Sequence, residues 1–569
     1  MSDKLKVVLC WHMHQPQYNE PMGGSYQLPW TYLHAIKDYV DMAHIISTHP
    51  KAKAVVNFAP ILLEQLDDYT AQLNQFFADH TPIKDPLLNA LASEEISTDP
   101  QTQKKIMTDC LRANEQRLIK RFPRFESLTQ IAKEFVAHPH DHAYLEKHFI
   151  SDLLMWYHLA WLGETIRRDN KKIQALMIKE HHFTYEDRTT LLSVMHSIIK
   201  DIIPSYRRLA EKGQIELAFS PYAHPIVPLL CDFNSAHDAM PHAPLPKAPQ
   251  YPGGEARAMW HINKGIASFK HHFGHKPRGC WPSEGGVCEE TVRLCSEYGI
   301  DWLASGESVM RNSLGQSPAL QKLLEGECLH RSYQLKDNRT RCFFRDDGLS
   351  DLIGFTYSGW HADDAINNLI HHIENVAEAC EYQKDTVIPI ILDGENAWEH
   401  YPENGFYFLN ALYERLSTHP GIEITTFSEC IDNAIEPVIL DNIVAGSWVY
   451  GTFSTWIGEA DKNIGWDLLV EAKHAYDKVI ADGKLSSEQQ ELATQQLSIC
   501  EGSDWFWWFG DYNPADSVAD FEQLFRTHLI ELYQLLEEPV PENLNKVISI
   551  GGGTPATGGV MRHGKEGSD

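Results

Sequence analysis

Long apolar runs are missing from this chain of 569 residues. No stretch reaches the ~20 uninterrupted apolar residues that a membrane-spanning helix needs. Positive charge is scarce too: 49 Lys and Arg stand against 78 Asp and Glu, a formal net charge of −29. So acidic a surface repels phosphate backbones and anionic lipid, which removes nucleic acid and bilayer surfaces from the expected partners and favours a neutral ligand. The 11 cysteines are odd in number and include no Cys-x-x-Cys pair. Neither a zinc ribbon nor a complete disulfide framework is indicated, and most thiols are expected to be reduced and buried. Nucleophile elbows, P-loops and dinucleotide fingerprints are absent as well. The opening "MSDKLKVVLCWHMHQP" has only a short apolar run before its histidines, so a cytoplasmic protein is expected.

What is present is the composition of a globular protein large enough for one catalytic domain and a smaller companion. Its 15 Trp and 22 Tyr offer flat apolar faces with polar edges, which suit sugar rings as well as a core. Short apolar runs recur at long intervals: "KVVLCW", "KAVVNF", "QIELAF", "RGCWPS", "IDWLAS", "RCFFR" and "VIPIIL". Helical sequence lies between most of them, the pattern of parallel strands in an α/β barrel. The gap between the second and third is too long for one crossover and is filled by segments of helical periodicity, so a helical insertion is expected there. After "IEITTFSECI" the strands give way to helical segments, and the tail "GGGTPATGGVMRHGKEGSD" is too polar and glycine-rich to order itself.

Chemistry is expected at strand ends. "IPIILDGENAWEH" reads as a strand apolar on both faces that ends in Asp393 and Glu395, and the carboxyl ends of parallel strands open onto the ligand crevice. "GCWPSEGGV" brings a second carboxylate, Glu284, after Trp281 and before two glycines that let backbone approach a ligand. Each carboxylate can also be read as a helix cap. Together they meet the requirement of a glycosidase for two carboxyl groups, one ionised and one protonated, about a scissile bond. In "WHMHQP", His12 and His14 share a strand face. The spacing suits a metal as well as two hydrogen-bond donors to substrate hydroxyls; a metal would need a third ligand, for which His224 is on offer without a second clustered histidine or cysteine, so the metal is not favoured.

Five regions in order carry a family resemblance: "HMHQP", "GQIELAFSPYAHPI", "CWPSEGGV", "LDGENAWEHY" and "GSWVYGTFSTWIGEADKNIGWDLL". The chain resembles glycoside hydrolase family 57, retaining α-glucan enzymes, and within it the α-amylase and amylopullulanase type. The resemblance implies a seven-stranded (β/α) barrel over residues 1–430 with a helical insertion at about 85–210. It also implies an α-helical domain over 431–545, leaving 546–569 as a disordered tail. Glu284 becomes the nucleophile, ionised at rest, and Asp393 the protonated acid/base. His12, His14, Glu216, His224, Trp281, Glu395, Trp398, Trp448 and Trp456 become substrate contacts, with Asp346 or Arg345 lining the cleft. The consequence of Cys280 and Cys288 flanking Glu284 is left open. No metal or cofactor is implied. The expected reaction is hydrolysis of α-1,4 bonds in starch, glycogen or maltooligosaccharides, with α-1,6 cleavage, glucan transfer or branching as alternatives on the same fold. Two rivals remain: a metal-dependent α-mannosidase or polysaccharide deacetylase on a related barrel, and a carbohydrate-binding protein without turnover.

Overall fold

The computed structural model describes residues 4–20, 24–138, 145–318, 320–324, 328–381, 383–554 and 560–564. Ten strands form one sheet: β1 (Leu5–Met13), β2 (Ala54–Phe58), β3 (Ile215–Phe219), β4 (Gly279–Cys280), β5 (Trp302–Ser305), β6 (Tyr333–Leu335), β7 (Arg341–Phe344), β8 (Val387–Asp393), β9 (Ile422–Ile424) and β10 (Val438–Leu440). The order is β10-β6-β7-β5-β4-β3-β2-β1-β8, with β9 also paired to β1. All pairs are parallel except β6 with β7.

The seven apolar runs are seven consecutive neighbours of this sheet, from β7 through β5, β4, β3, β2 and β1 to β8. The expected closed seven-stranded barrel is corrected in two respects. The described sheet has ten strands, and its hydrogen-bonded path stays open between β7 and β8. There the sheet curls together through single contacts: Asp346 N–H donates to Pro389 O at 2.8 Å and Arg345 Nε to Ile391 O at 2.9 Å. The additional strands β6, β9 and β10 are three residues each, too short for an alternating pattern to stand out.

Strand periodicity sorts the core. Val8 and Cys10 of β1, Val55, Ala218, and Val387 and Ile391 of β8 face an inner cluster with Trp281, Trp302, Phe343 and Phe427. The intervening Val7, Leu9 and Trp11 face the surrounding helices. Both faces are buried, which is why these strands read as continuous apolar runs. The same two-residue period carries the inward phase of β1 to His12, and that of β8 to Asp393.

Between β2 and β3 the described residues are mostly helical, from Pro60–Asp79 to the long helix Tyr185–Glu211, which starts on a capping box between Thr184 and Asp187. After β10 come the helices Ala460–Asp482, Ser487–Cys500, Asp504–Trp508 and Ala515–Leu535. They share the main apolar core with the helices around the sheet. A buried ionic knot fixes them: the Glu501 carboxylate accepts from Arg257 Nε (2.8 Å), Arg257 NH2 (2.7 Å) and Tyr251 OH (2.5 Å), and meets His261 Nε2 at 2.7 Å. Burial by itself would raise the pKa of Glu501, but the Arg257 charge and His261 outweigh it and hold the group at about 2. The knot fixes the chain two residues ahead of Ser503, which enters the site described below.

Among the described residues no helix is long and apolar enough to cross a membrane. Cys328 and Cys380 form a disulfide, while the other nine cysteines, Cys280 and Cys288 included, are free and mostly buried. Two pieces of the tail expected to be disordered have defined contacts, for example Ser549 Oγ on Asp461 (2.6 Å) and Gly564 N–H on Asp351 (3.1 Å). Residues 555–559 and 565–569 of that tail lie outside the described residues.

Candidate active site

The strand register assembles the site. His12 stands opposite Asp393 in the β1–β8 pair and opposite Asn57 in the β1–β2 pair. Asn57 takes His12 Nδ1 at 2.6 Å, which orients the ring. Just past β8, Gly394 N–H donates to His12 O at 2.6 Å, and a Cβ on Gly394 would lie 2.2 Å from Met13 Sδ. The glycine therefore lets the Asp-Gly-Glu turn fold back against β1, bringing Asp393 and Glu395 to the same mouth.

Glu284 arrives from the other side, in a tight turn over Ser283–Gly285 after β4. Its φ of +57° is left-handed and is held by Trp448 N–H on Glu284 O at 3.1 Å. Such backbone costs on the order of 1–3 kcal/mol for a residue with a Cβ and persists only where its surroundings enforce it. Its carboxylate accepts from Trp448 Nε1 at 3.1 Å and Ser503 Oγ at 3.3 Å, with His224 Nδ1 3.8 Å away. Asp393 accepts from Asn396 Nδ2 at 2.8 Å.

These groups open into one cleft of about 530 Å³, lined among others by His12, His14, Glu284, Asp393, Glu395 and Trp448. Trp30, Trp161, Trp507 and Trp508 add aromatic wall. Burial, then the charges of Asp504 and Asp393, push Glu284 up to about 8. Burial likewise raises Asp393 to about 6, opposed by the Asn396 hydrogen bond and by His14 and Arg345. Of this pair, Glu284 therefore holds its proton more tightly than Asp393, the reverse of the resting state expected from the roles assigned above. The physical cause is burial first, with Asp504, a further carboxylate facing the pair, adding to it. Burial holds His12 near 3 and His224 well below the ordinary histidine value, so both are neutral hydrogen-bonding rings at neutral pH. Glu395, buried and beside Asp393, is raised well above the carboxylate range, and accepts from His14 N–H and Gln15 Nε2, each at 3.2 Å.

Other sequence candidates fall behind the wall. His224 is buried and stacks on His14 at 3.9 Å and on His12 at 5.1 Å, so it supports the histidines from beneath. Trp281 is buried between His12 and Trp448. Trp398 is buried with Nε1 on Gly394 O at 2.9 Å and braces the turn that carries Asp393. Glu216 is corrected: it sits near the start of β3, three residues and so ~10 Å short of the strand end, where it accepts from Trp302 Nε1 (2.7 Å) and Ser428 N–H (3.0 Å). Trp456 is also corrected, being fully buried and packed beside Trp507 rather than in the cleft. Asp346 pairs with His330, and Arg345 is buried against Asp347 and Asp351 with its guanidinium 5.6 Å from the Trp448 ring.

Residues that sequence reasoning missed are Ser503 and Asp504, the latter bonded through both oxygens to His14 Nε2 at 2.9 and 3.0 Å. The one sign in the sequence was the aromatic density of "GSDWFWWFGDYNP", outside the five regions. His14, His224 and Asp504 could also hold a metal, since their ligating atoms lie within 4.8 Å of one another. In this structure His14 is paired with Asp504, and His224 Nδ1 with Ser503 Oγ at 3.0 Å.

A model of the family described as "Glycosyl hydrolase family 57" matches residues 8–442, most of the chain. The chain belongs to glycosyl hydrolase family 57. Solved enzymes, two of them described as family 57 branching enzymes, share its fold at low identity. A branching enzyme of Pyrococcus horikoshii aligns with a TM-score of 0.58 and 15% identity over 95% of this chain and 94% of its own. One from Thermococcus kodakaraensis, solved with glucose, gives 0.56 and 15% over 93% and 90%. The α-amylase AmyC of Thermotoga maritima gives 0.55 and 13% over 95% of both chains. In this protein Glu284 and Asp393 come from two strand ends to one cleft, which Glu395 and Asp504 also line.

Proposed function

We propose that this protein is a retaining enzyme of α-glucans that opens α-1,4-glucosidic bonds by double displacement. The observation that carries the reading is the convergence of Glu284 and Asp393 on one aromatic-walled cleft, close enough that the charge of Asp393 is felt at Glu284. In the first step a Glu284 oxygen bonds to the anomeric carbon while Asp393 gives its proton to the departing glucosidic oxygen. In the second, Asp393 takes a proton from water, whose oxygen bonds to the anomeric carbon and releases Glu284. If a glucan hydroxyl takes the place of water, the same steps transfer the chain. The fold relatives include branching enzymes and an amylase, so both outcomes belong to the test.

The test is product analysis on amylose, pullulan and maltooligosaccharides, with the initial anomer followed by NMR. Shorter glucans released as α-anomers support α-1,4 hydrolysis. New branch points or longer oligosaccharides indicate transfer. A β-anomer as first product would remove double displacement, and no action on any α-glucan would remove the reading.

The proton inventory makes a second prediction. Productive enzyme carries one proton on the carboxyl pair, so kcat/KM should be bell-shaped with limbs near pH 6 and pH 8. With a two-unit gap favouring Glu284, only roughly one singly protonated molecule in a hundred has Glu284 ionised. Removing the Asp504 charge by Asp504→Asn takes away one of the causes that raise Glu284, so the alkaline limb should move to lower pH. A limb that stays in place in D504N would show that it does not belong to Glu284.

A further inference from the structure

Residues 560–564 belong to a tail whose composition gives it no core of its own, yet they touch three distant parts of the chain. Val560 lines the active-site cleft. The Arg562 guanidinium lies 4.5 Å from the ring centre of Trp507 and 4.9 Å from that of Tyr512. It donates to Thr455 Oγ1 at 3.0 Å, Tyr512 OH at 3.2 Å and Trp507 O at 3.3 Å. A guanidinium close to aromatic rings with several donors used at once is a setting in which arginine is hard to replace. His563 stacks on Phe355 with ring centres 3.8 Å apart, and its Nδ1 is 3.5 Å from Asp351.

Gly564 completes the seat. Its N–H donates to Asp351 Oδ2 and its carbonyl accepts from Tyr450 N–H, both at 3.1 Å. A Cβ there would stand 2.5 Å from Asp347 Cγ and 2.8 Å from Arg345 NH1, so no larger residue fits without displacing the tail or that ion pair. Arg345 is the cation beneath Trp448, the ring that donates to Glu284. The five residues therefore span from the loops after β7 to the C-terminal helical segment, and Val560, at one end of the span, faces the substrate cleft.

We propose that residues 560–564 form a strap, seated by Arg562 and Gly564, that walls the cleft and sets the length of glucan chain it admits. The substrate class rests on the α-glucan reading above. A tail that only clasped the fold would alter stability without discriminating between chains, whereas a wall discriminates by length.

The test uses the full chain with Gly564→Leu, which unseats the strap by collision, and Arg562→Ala, the milder loss of its stacking. Binding of maltotriose through maltoheptaose is measured by calorimetry in an inactive Glu284→Gln background, so that chemistry does not enter. With the strap unseated, affinity for maltoheptaose relative to maltotriose should change by about tenfold, the scale on which a small change in pocket shape discriminates between ligands. Hydrolysis of an aryl α-maltoside by Arg562→Ala with Glu284 intact should change little, since Arg562 touches neither carboxylate nor Trp448. Lower thermal midpoints with an unchanged length profile in both variants would reduce the tail to a clasp and overturn the proposal. Absence of maltooligosaccharide binding in the parent background would instead overturn the α-glucan reading, and the strap's role with it. If Gly564→Leu does not fold, the Arg562→Ala profile decides.

Discussion

Glu284→Ala is expected to lower turnover on every glucan substrate by on the order of 10⁴-fold or more, the scale seen when a covalent nucleophile is removed. The truncation leaves a space bordered by the two donors that now hold the carboxylate, Trp448 Nε1 and Ser503 Oγ. Azide is a small anion that those donors can receive. It should attack the anomeric carbon from the face Glu284 uses, while Asp393 still protonates the leaving oxygen, and the product should be the β-glycosyl azide. Isolation of the α-azide would exchange the two roles. Failure of Glu284→Ala to change turnover would remove the residue from the chemistry.

The conservative variant separates chemistry from folding. Glu284 sits on left-handed backbone inside a turn pinned by Trp448 N–H, and Glu284→Gln keeps both the side-chain volume and the main-chain bond. Its structure and thermal midpoint should stay near those of the parent while turnover is lost. A variant that lost both together would leave the nucleophile to be judged by azide rescue.

What could be read in the sequence follows from how local each feature is. The strands of the central sheet are buried on both faces, by helices outside and by the inner cluster within, so β1 and β8 announce themselves as apolar runs ending in His12 and Asp393, and Glu284 follows Trp281 just past β4. β6 and β10 are three residues each and owe their pairing to neighbours rather than to pattern. Glu216 shows the cost of treating a strand as a point, since a carboxylate at the beginning of a short strand is ~10 Å from one at its end. Trp456 and Trp398 show that a tryptophan near a functional segment is more often its support than its surface.

The least legible residues are those whose role exists only after folding. Asp504 reaches His14 across 490 positions, by way of a helical segment that Glu501, Arg257 and His261 lock to the helix Gly254–Phe273. Nothing in the few residues around Asp504 encodes that partner. Yet Asp504 bears directly on the acid–base order of the pair, and an assignment by strand-end position alone puts the resting proton on Asp393. The Cys328–Cys380 bridge is illegible for the same reason, its two cysteines being brought together only by tertiary packing.

Asp393→Ala should behave in a way that no general loss of structure would mimic. Removal of the acid/base leaves Glu284 able to attack, so the first step is limited by how well the leaving group departs unassisted. Natural glucans, with a strongly basic leaving oxygen, should lose roughly 10³-fold or more. Aryl glycosides with acidic phenols need little protonation and should still form the glycosyl-enzyme, visible as a burst of phenol followed by slow turnover. The slow phase is the second step, in which water lacks a base. Azide needs none, so it should accelerate that phase and give the α-glycosyl azide, the opposite anomer from Glu284→Ala. The kcat/KM profile should also lose its alkaline limb, because no acid is left to deprotonate, and activity should rise with pH through the ionisation of Glu284 alone, at a value below about 8 once the Asp393 charge that helps to raise it is gone. Equal losses on aryl glycosides and glucans, with no burst and no azide product, would take the acid/base role from Asp393. Glu395 would then be the carboxyl to test, since it lines the same cleft and burial together with Asp393 raises its pKa.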